Sequence, residues 1–156
     1  MRRALRVAGA ALCLATGLVG CAPTPPAVVE AEGVVLLNGE PLPNAQIQFV
    51  PDLKHFGAKY NSQAISDAQG RFQLKCSNKG EAGAAVANHW VVVTDAPMPK
   101  ELRGVDGAAQ EKAAEWLESQ TNRPIPTEYG SVGTTPLKVE VTKDKKSYEL
   151  KLVRKS

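Results

Sequence analysis

Cysteine, histidine and aromatic residues are all scarce in this chain of 156 residues, which holds three Cys, two His, two Trp, three Tyr and three Phe. The scarcity removes whole classes of chemistry. His55 and His89 are the only histidines, and no His-x-x-Glu, Gly-x-Ser-x-Gly or Cys-x-x-Cys occurs, so zinc-peptidase, serine-hydrolase and dithiol readings lack their parts. No phosphate-cradling glycine loop or nucleic-acid motif is present either. Asp67 stands alone without the further acids of a calcium loop, and Asp67-Ala68-Gln69-Gly70 reads as a turn instead. The expected sets of catalytic residues, metal ligands and cofactors are therefore empty.

Long apolar runs are missing as well. The apolar stretch near the start, Val7 to Val19, contains no charge and covers 13 residues, short of the ~20 that span a bilayer as a helix. Arg2, Arg3 and Arg6 precede it and Ala15, Thr16, Gly17 and Gly20 crowd its end, the layout of a secretory signal. Leu18-Val19-Gly20-Cys21 resembles the lipobox of bacterial lipoproteins, in which the signal is cut before the cysteine and the thiol is acylated. That resemblance implies a leader over 1–20, cleavage between Gly20 and Cys21, and lipid attachment at Cys21. One acyl chain is a weak anchor and two or three are close to permanent, at roughly 0.8 kcal/mol per buried CH₂. The partner expected from this is a membrane, with the domain held outside the cytoplasm. A Pro-rich tether over 21–29 follows, and at about 3.1 Å per residue in extended polyproline geometry Ala22 to Val29 would span roughly 25 Å.

Excess charge of one sign is also absent once the leader is set aside. Removing its three arginines from the 19 basic residues leaves 16, matched by 16 acidic ones, so the remainder is formally neutral. A neutral domain has no global field to attract nucleic acid. The basic group Lys143, Lys145, Lys146, Lys151, Arg154 and Lys155 reads as a solvated hairpin, with contact to anionic headgroups as the alternative. Beyond the leader and Cys21 only Cys76 remains, so no disulfide can form within that part of the chain. Cys76 continues the alternation Phe72, Leu74, Cys76 and is expected inside the fold as a small hydrophobe.

What the chain does contain is strand periodicity. Glu30 to Leu37 ends at Asn38-Gly39, a hairpin signal because both residues tolerate positive φ. Ala45, Ile47 and Phe49 alternate with polar neighbours, and Ser62 to Ser66 and Arg71 to Cys76 flank the Asp67 turn. Asn88 to Asp95 is continuously apolar in its middle and suits a central strand covered on both faces. Leu137 to Val141 and Tyr148 to Leu152 alternate strictly and read as two strands joined by the turn Thr142 to Ser147. About seven short strands with frequent turns argue for an all-β, two-layered antiparallel sandwich over 30–156. One excursion, 97–123, is too long for a hairpin loop. Its "DGAAQEKAAEWLESQ" is rich in helix formers and places Ala109, Ala113, Trp116, Leu117 and Gln120 on one side, with Asp106 as cap.

"VLLNGEPLPNAQIQFVPD", "AISDAQGRFQL", the Val-rich central strand and "IPTEYGSVGTTPLKVEVTKDKKSYELKL" together resemble the carboxypeptidase-regulatory-like, or transthyretin-like, lipoproteins of planctomycete-type bacteria. The resemblance implies a seven-stranded prealbumin-like sandwich with no established chemistry. The transthyretin-like hydrolases of purine breakdown share the general fold, but their C-terminal Tyr-Arg-Gly-Ser is replaced here by Leu-Val-Arg-Lys-Ser.

The leading expectation is a non-catalytic envelope component that meets a protein partner through loops or a sheet edge. The alternative is a small-ligand or glycan module built on Tyr60, Trp90, Trp116 or Tyr129, which requires exposed rings. A hydrolase ranks third and requires His55 and His89 to converge with an acid or base.

Overall fold

A computed structural model describes residues 23–155 of the chain. The leader, the Gly20–Cys21 cleavage point and the Cys21 lipid site lie outside the described residues. Eleven strands occur in chain order: β1 (Val28–Val29), β2 (Glu32–Leu37), β3 (Glu40–Pro41), β4 (Ala45–Pro51), β5 (Ser62–Ile65), β6 (Arg71–Gln73), β7 (Lys75–Cys76), β8 (Ala84–Ala85), β9 (Ala87–Asp95), β10 (Lys138–Val141) and β11 (Ser147–Leu152). Among the described residues one α-helix occurs, α1 (Gly107–Glu118), in the long excursion. The count exceeds seven because several strands are two or three residues long and one alternating run is broken in two.

Two larger sheets form the layers. One has the order β10-β9-β4-β5-β7, and the other runs β11-β2-β3 with β6 also paired to β2. Alternation decides what they bury: Val35 and Leu37 from β2, Ile47 and Phe49 from β4, Val91 and Val93 from β9, and Leu150 and Leu152 from β11 share one core. Val92 is also buried, so β9 is covered on both faces in its middle, as its continuous apolar run requires. A smaller cluster of Tyr60, Cys76 and Ala85 packs beside the main core.

The local turns follow from residue chemistry. Asn38 and Gly39 take φ of 55° and 86° and close a two-residue hairpin in which Leu37 pairs with Glu40. The Asp67 carboxylate accepts from the amides of Gln69 and Arg71 at 2.9 and 2.8 Å, which fixes that turn without a metal. The carboxylate of Asp106 accepts from the Ala109 amide at 2.9 Å and starts α1.

Three features depart from the sequence reading. First, the layers are not wholly antiparallel, since β11 pairs parallel with β2 in the register Ser147↔Glu32 to Leu152↔Leu37. Secondly, β10 and β11 are not a hairpin. β10 pairs antiparallel with β9, while β11 joins the opposite sheet, so 142–146 arches from one layer to the other. The arch is tied by the Tyr148 hydroxyl, which donates to the Lys145 carbonyl at 2.7 Å, and burial raises that phenol's pKa. Thirdly, the run Arg71 to Cys76 keeps its alternation but changes sheets at Leu74: β6 pairs with β2 and β7 with β5. In addition, Val28 and Val29, which composition groups with the tether, pair with Ala85 and Ala84 as β1–β8.

The excursion 97–123 is held against one end of the layers. Arg123 donates to the carboxylate of Asp95, to the carbonyls of Pro43, Asn44 and Thr121, and to Gln120. The amide nitrogen of Asn122 reaches the carbonyls of Leu37, Glu40 and Pro41. Asn44 donates to the Ser119 hydroxyl at 2.8 Å, beside the C-terminal end of α1. Most of these bonds run from side chains to backbone carbonyls, and together they give a segment with few buried residues a fixed place.

Candidate functional site: two sheet edges on one side

The connection at Leu74 places β6 and β7 on the same side of the two layers. The opposite side therefore carries β11 of one sheet and β10 of the other, joined by the 142–146 arch. Both are edge strands. Among the described residues neither β10 nor β11 has a second partner strand.

The ladders define which groups the edges expose. The Glu32 and Asn38 amides donate to the Lys146 and Leu152 carbonyls, both at 2.9 Å. In a parallel pair this parity gives the backbone groups of the even-numbered β11 residues to β2 and turns those of Ser147, Glu149 and Lys151 outward. The ends of the strand are capped: the Val153 amide donates to the Tyr129 hydroxyl at 3.0 Å, and Arg154 donates from its amide to the Asn38 side chain. On β10, the Val91 amide donates to the Leu137 carbonyl at 3.0 Å, so by the same counting Val139 faces β9 and the backbone of Lys138 and Glu140 faces out.

The candidate aromatics do not assemble beside these edges into one binding face. Tyr60 and Tyr129 are buried, at 4% exposure each. Tyr60 stacks edge-on with Phe56 at 5.6 Å, and Tyr129 packs in the main core. Trp90 and Trp116 are half-buried. The Trp90 ring carries the Lys138 ammonium 3.9 Å from its centroid, which occupies the face a sugar would need. That pair adjoins a groove of about 250 Å³ lined by Asp52, Asn88, His89, Trp90, Lys138, Val139 and Glu140. A second groove, of about 700 Å³, passes over β2 and β6 and is lined by Glu32, Val34, Ile65, Arg71, Gln73 and Ser147 among others.

The two histidines differ in environment. His55 is exposed, whereas His89 is 1% exposed, with Phe49's ring centroid 5.6 Å from its own. His89 Nε2 lies 2.7 Å from the Ala85 carbonyl, so in the neutral ring Nε2 carries the proton and Nδ1 is left without a hydrogen-bond partner. Burial holds its pKa below the usual value, opposed by the backbone of Ala85 and Phe49. No group of three or more His, Cys, Asp or Glu suited to a metal occurs among the described residues.

Cys76 is fully buried, where its alternation places it. The basic group near the open side is partly matched: Lys146 meets Glu30 at 2.9 Å, Lys151 meets Glu149 at 3.2 Å and Lys155 meets Glu128 at 3.2 Å. Through that contact Lys146 lowers the Glu30 pKa and Glu30 raises that of Lys146. Among the described residues no helix is long and apolar enough to cross a membrane.

The sequence alone pointed to loops or a sheet edge as the surface and did not identify which strands lie at the edges. The signal was present as alternating charge, Lys138-x-Glu140 and Glu149-x-Lys151, but which edges stay unpaired depends on how the sheets are ordered. Comparison of the chain with protein-family models, with curated proteins and with solved structures found no match.

Proposed function

We propose that the chain is an exported lipoprotein whose prealbumin-like sandwich serves as a non-catalytic interaction module at a cell-envelope membrane. The observation that carries the interaction reading is the pair of unpartnered strands, β10 and β11, on one side of the layers. Their outward N–H and C=O groups are directional and can take an added strand without any reactive side chain. The sealed His89 and exposed His55 fit this reading better than an acid–base pair sharing a cleft. Anchorage rests on Arg2, Arg3 and Arg6, the 13-residue apolar stretch and Leu18-Val19-Gly20-Cys21.

Two experiments test the two halves of the proposal. Mass spectrometry of the native product should find it starting at Cys21 with acyl mass on that residue; an intact leader or an unmodified cysteine rejects the anchor. Crosslinking in intact cells should give species heavier than the monomer, and recovery of monomer alone under several chemistries rejects the interaction reading.

A further inference from the structure

The β11 edge is complementary to itself. Its outward backbone groups belong to Ser147, Glu149 and Lys151, and the side chains of these three residues share the exposed face of the strand. Two copies of the strand laid antiparallel about a two-fold axis at Leu150 bring Glu149 opposite the partner's Lys151, and Lys151 opposite the partner's Glu149. Outward-facing residues then meet as hydrogen-bonded pairs, so each of the two positions exchanges both of its backbone bonds. Shifting the axis to Glu149 or Lys151 sets like charges directly opposite, which is unfavourable. The charges therefore favour the Leu150 register over these two shifts, and a further shift to Leu152 would need the Val153 amide, which the Tyr129 hydroxyl already holds.

We propose that β11 pairs with β11 of a second copy of this chain in that register, making a symmetric dimer. This rests on the interaction-module reading above and names the partner. The same side of the molecule repeats the arrangement: β10 presents Lys138 and Glu140 outward on either side of Val139, so its edge is also complementary to itself. A symmetric interface must match its own patch, and here two edges meet that condition side by side. β11 pairs with β2 on one side only, and among the described residues its other side carries no strand.

The test uses the full chain purified in detergent, followed by sedimentation over a concentration series. The wild type should dimerise. Glu149→Lys and Lys151→Glu should each weaken dimerisation about tenfold or more, because two attractive pairs become two repulsive ones. Mixing the two variants should restore association, since each then faces its opposite charge, and the double exchange Glu149→Lys/Lys151→Glu should dimerise alone. Wild type that stays monomeric, single variants that dimerise normally, or a mixture that gains nothing would each overturn self-pairing. If the purified wild type is monomeric while crosslinking in cells yields adducts of other masses, self-pairing fails and the module reading stands. Monomer alone in both experiments removes both.

Discussion

The two sides of the layers are built differently. On one side the chain itself crosses between the sheets. Leu74 donates its amide to Ala31 at 2.9 Å and accepts from the Gly83 amide at 2.7 Å, so β6, β7 and the β1–β8 pair are tied within a few residues. On the other side the connection is the arch 142–146, and the strands it joins keep their outer edges bare among the described residues. Closure on the first side comes from short, local crossings with buried side chains. The open side is spanned by a polar loop and left available.

The largest effect should come from the glycines that permit close approach on each side. A Cβ at Gly83, where φ is +110°, would meet the Val29 carbonyl oxygen at 1.8 Å, and one at Gly33 would meet that of Tyr148 at 1.9 Å. Gly83→Val should open the tied side and Gly33→Val should separate β2 from β11, each costing about 3 kcal/mol or more in urea unfolding. A loss below about 1 kcal/mol in either variant would show that its side is not held by that approach.

Leu74→Ala should come next. Leu74 is 3% exposed at the crossing, and truncating a buried leucine costs about 2–4 kcal/mol. Hydrogen exchange should show protection lost first in β6 and β7, while the β9 and β4 amides stay protected. Uniform loss would mean that the two sides are not independent.

His89 lies beside the open edge, paired with Val139 of β10. Its folded pKa lies below the unfolded value of about 6.5, so the unfolded chain takes up a proton first as pH falls. Stability should be flat well above that value and decline as pH falls through and below it. In His89→Leu the slope over this window should vanish. A wild-type curve with no slope would mean that His89 is not sealed in solution. The smallest effect belongs to the exposed Glu30–Lys146 pair: Glu30→Gln should leave the melting temperature unchanged at neutral pH.

The sequence was informative where geometry is local. Asn38-Gly39, Asp67 and Asp106 act within four residues of themselves, so their turns and cap follow from φ preference and carboxylate reach. Inward positions such as Cys76 and Val91 to Val93 followed from alternation and its loss. What alternation cannot say is which sheet a strand joins. Lys138 to Val141 and Ser147 to Leu152 have the pattern of a hairpin, and only the partners β9 and β2, distant in sequence, send them to different layers. The sheet change at Leu74 was hidden for the same reason, since a strand that switches partners keeps its in–out rhythm. The unpartnered edges were legible as charge spacing but not as edges.

The parallel ladder also bears on the order of events during synthesis. Glu32 and Ser147 are partners 115 positions apart, so β2, already beside β3 and β6, waits for almost the whole described chain before the strand on its other side exists. A ribosome-bound fragment ending before the arch leaves Val35 and Leu37 without Leu150 and Leu152 to cover them. Such distant pairing slows collapse into the finished form, because loop closure must precede any reward from contact. The layer built on β2 is thus completed only by the last strand of the described chain.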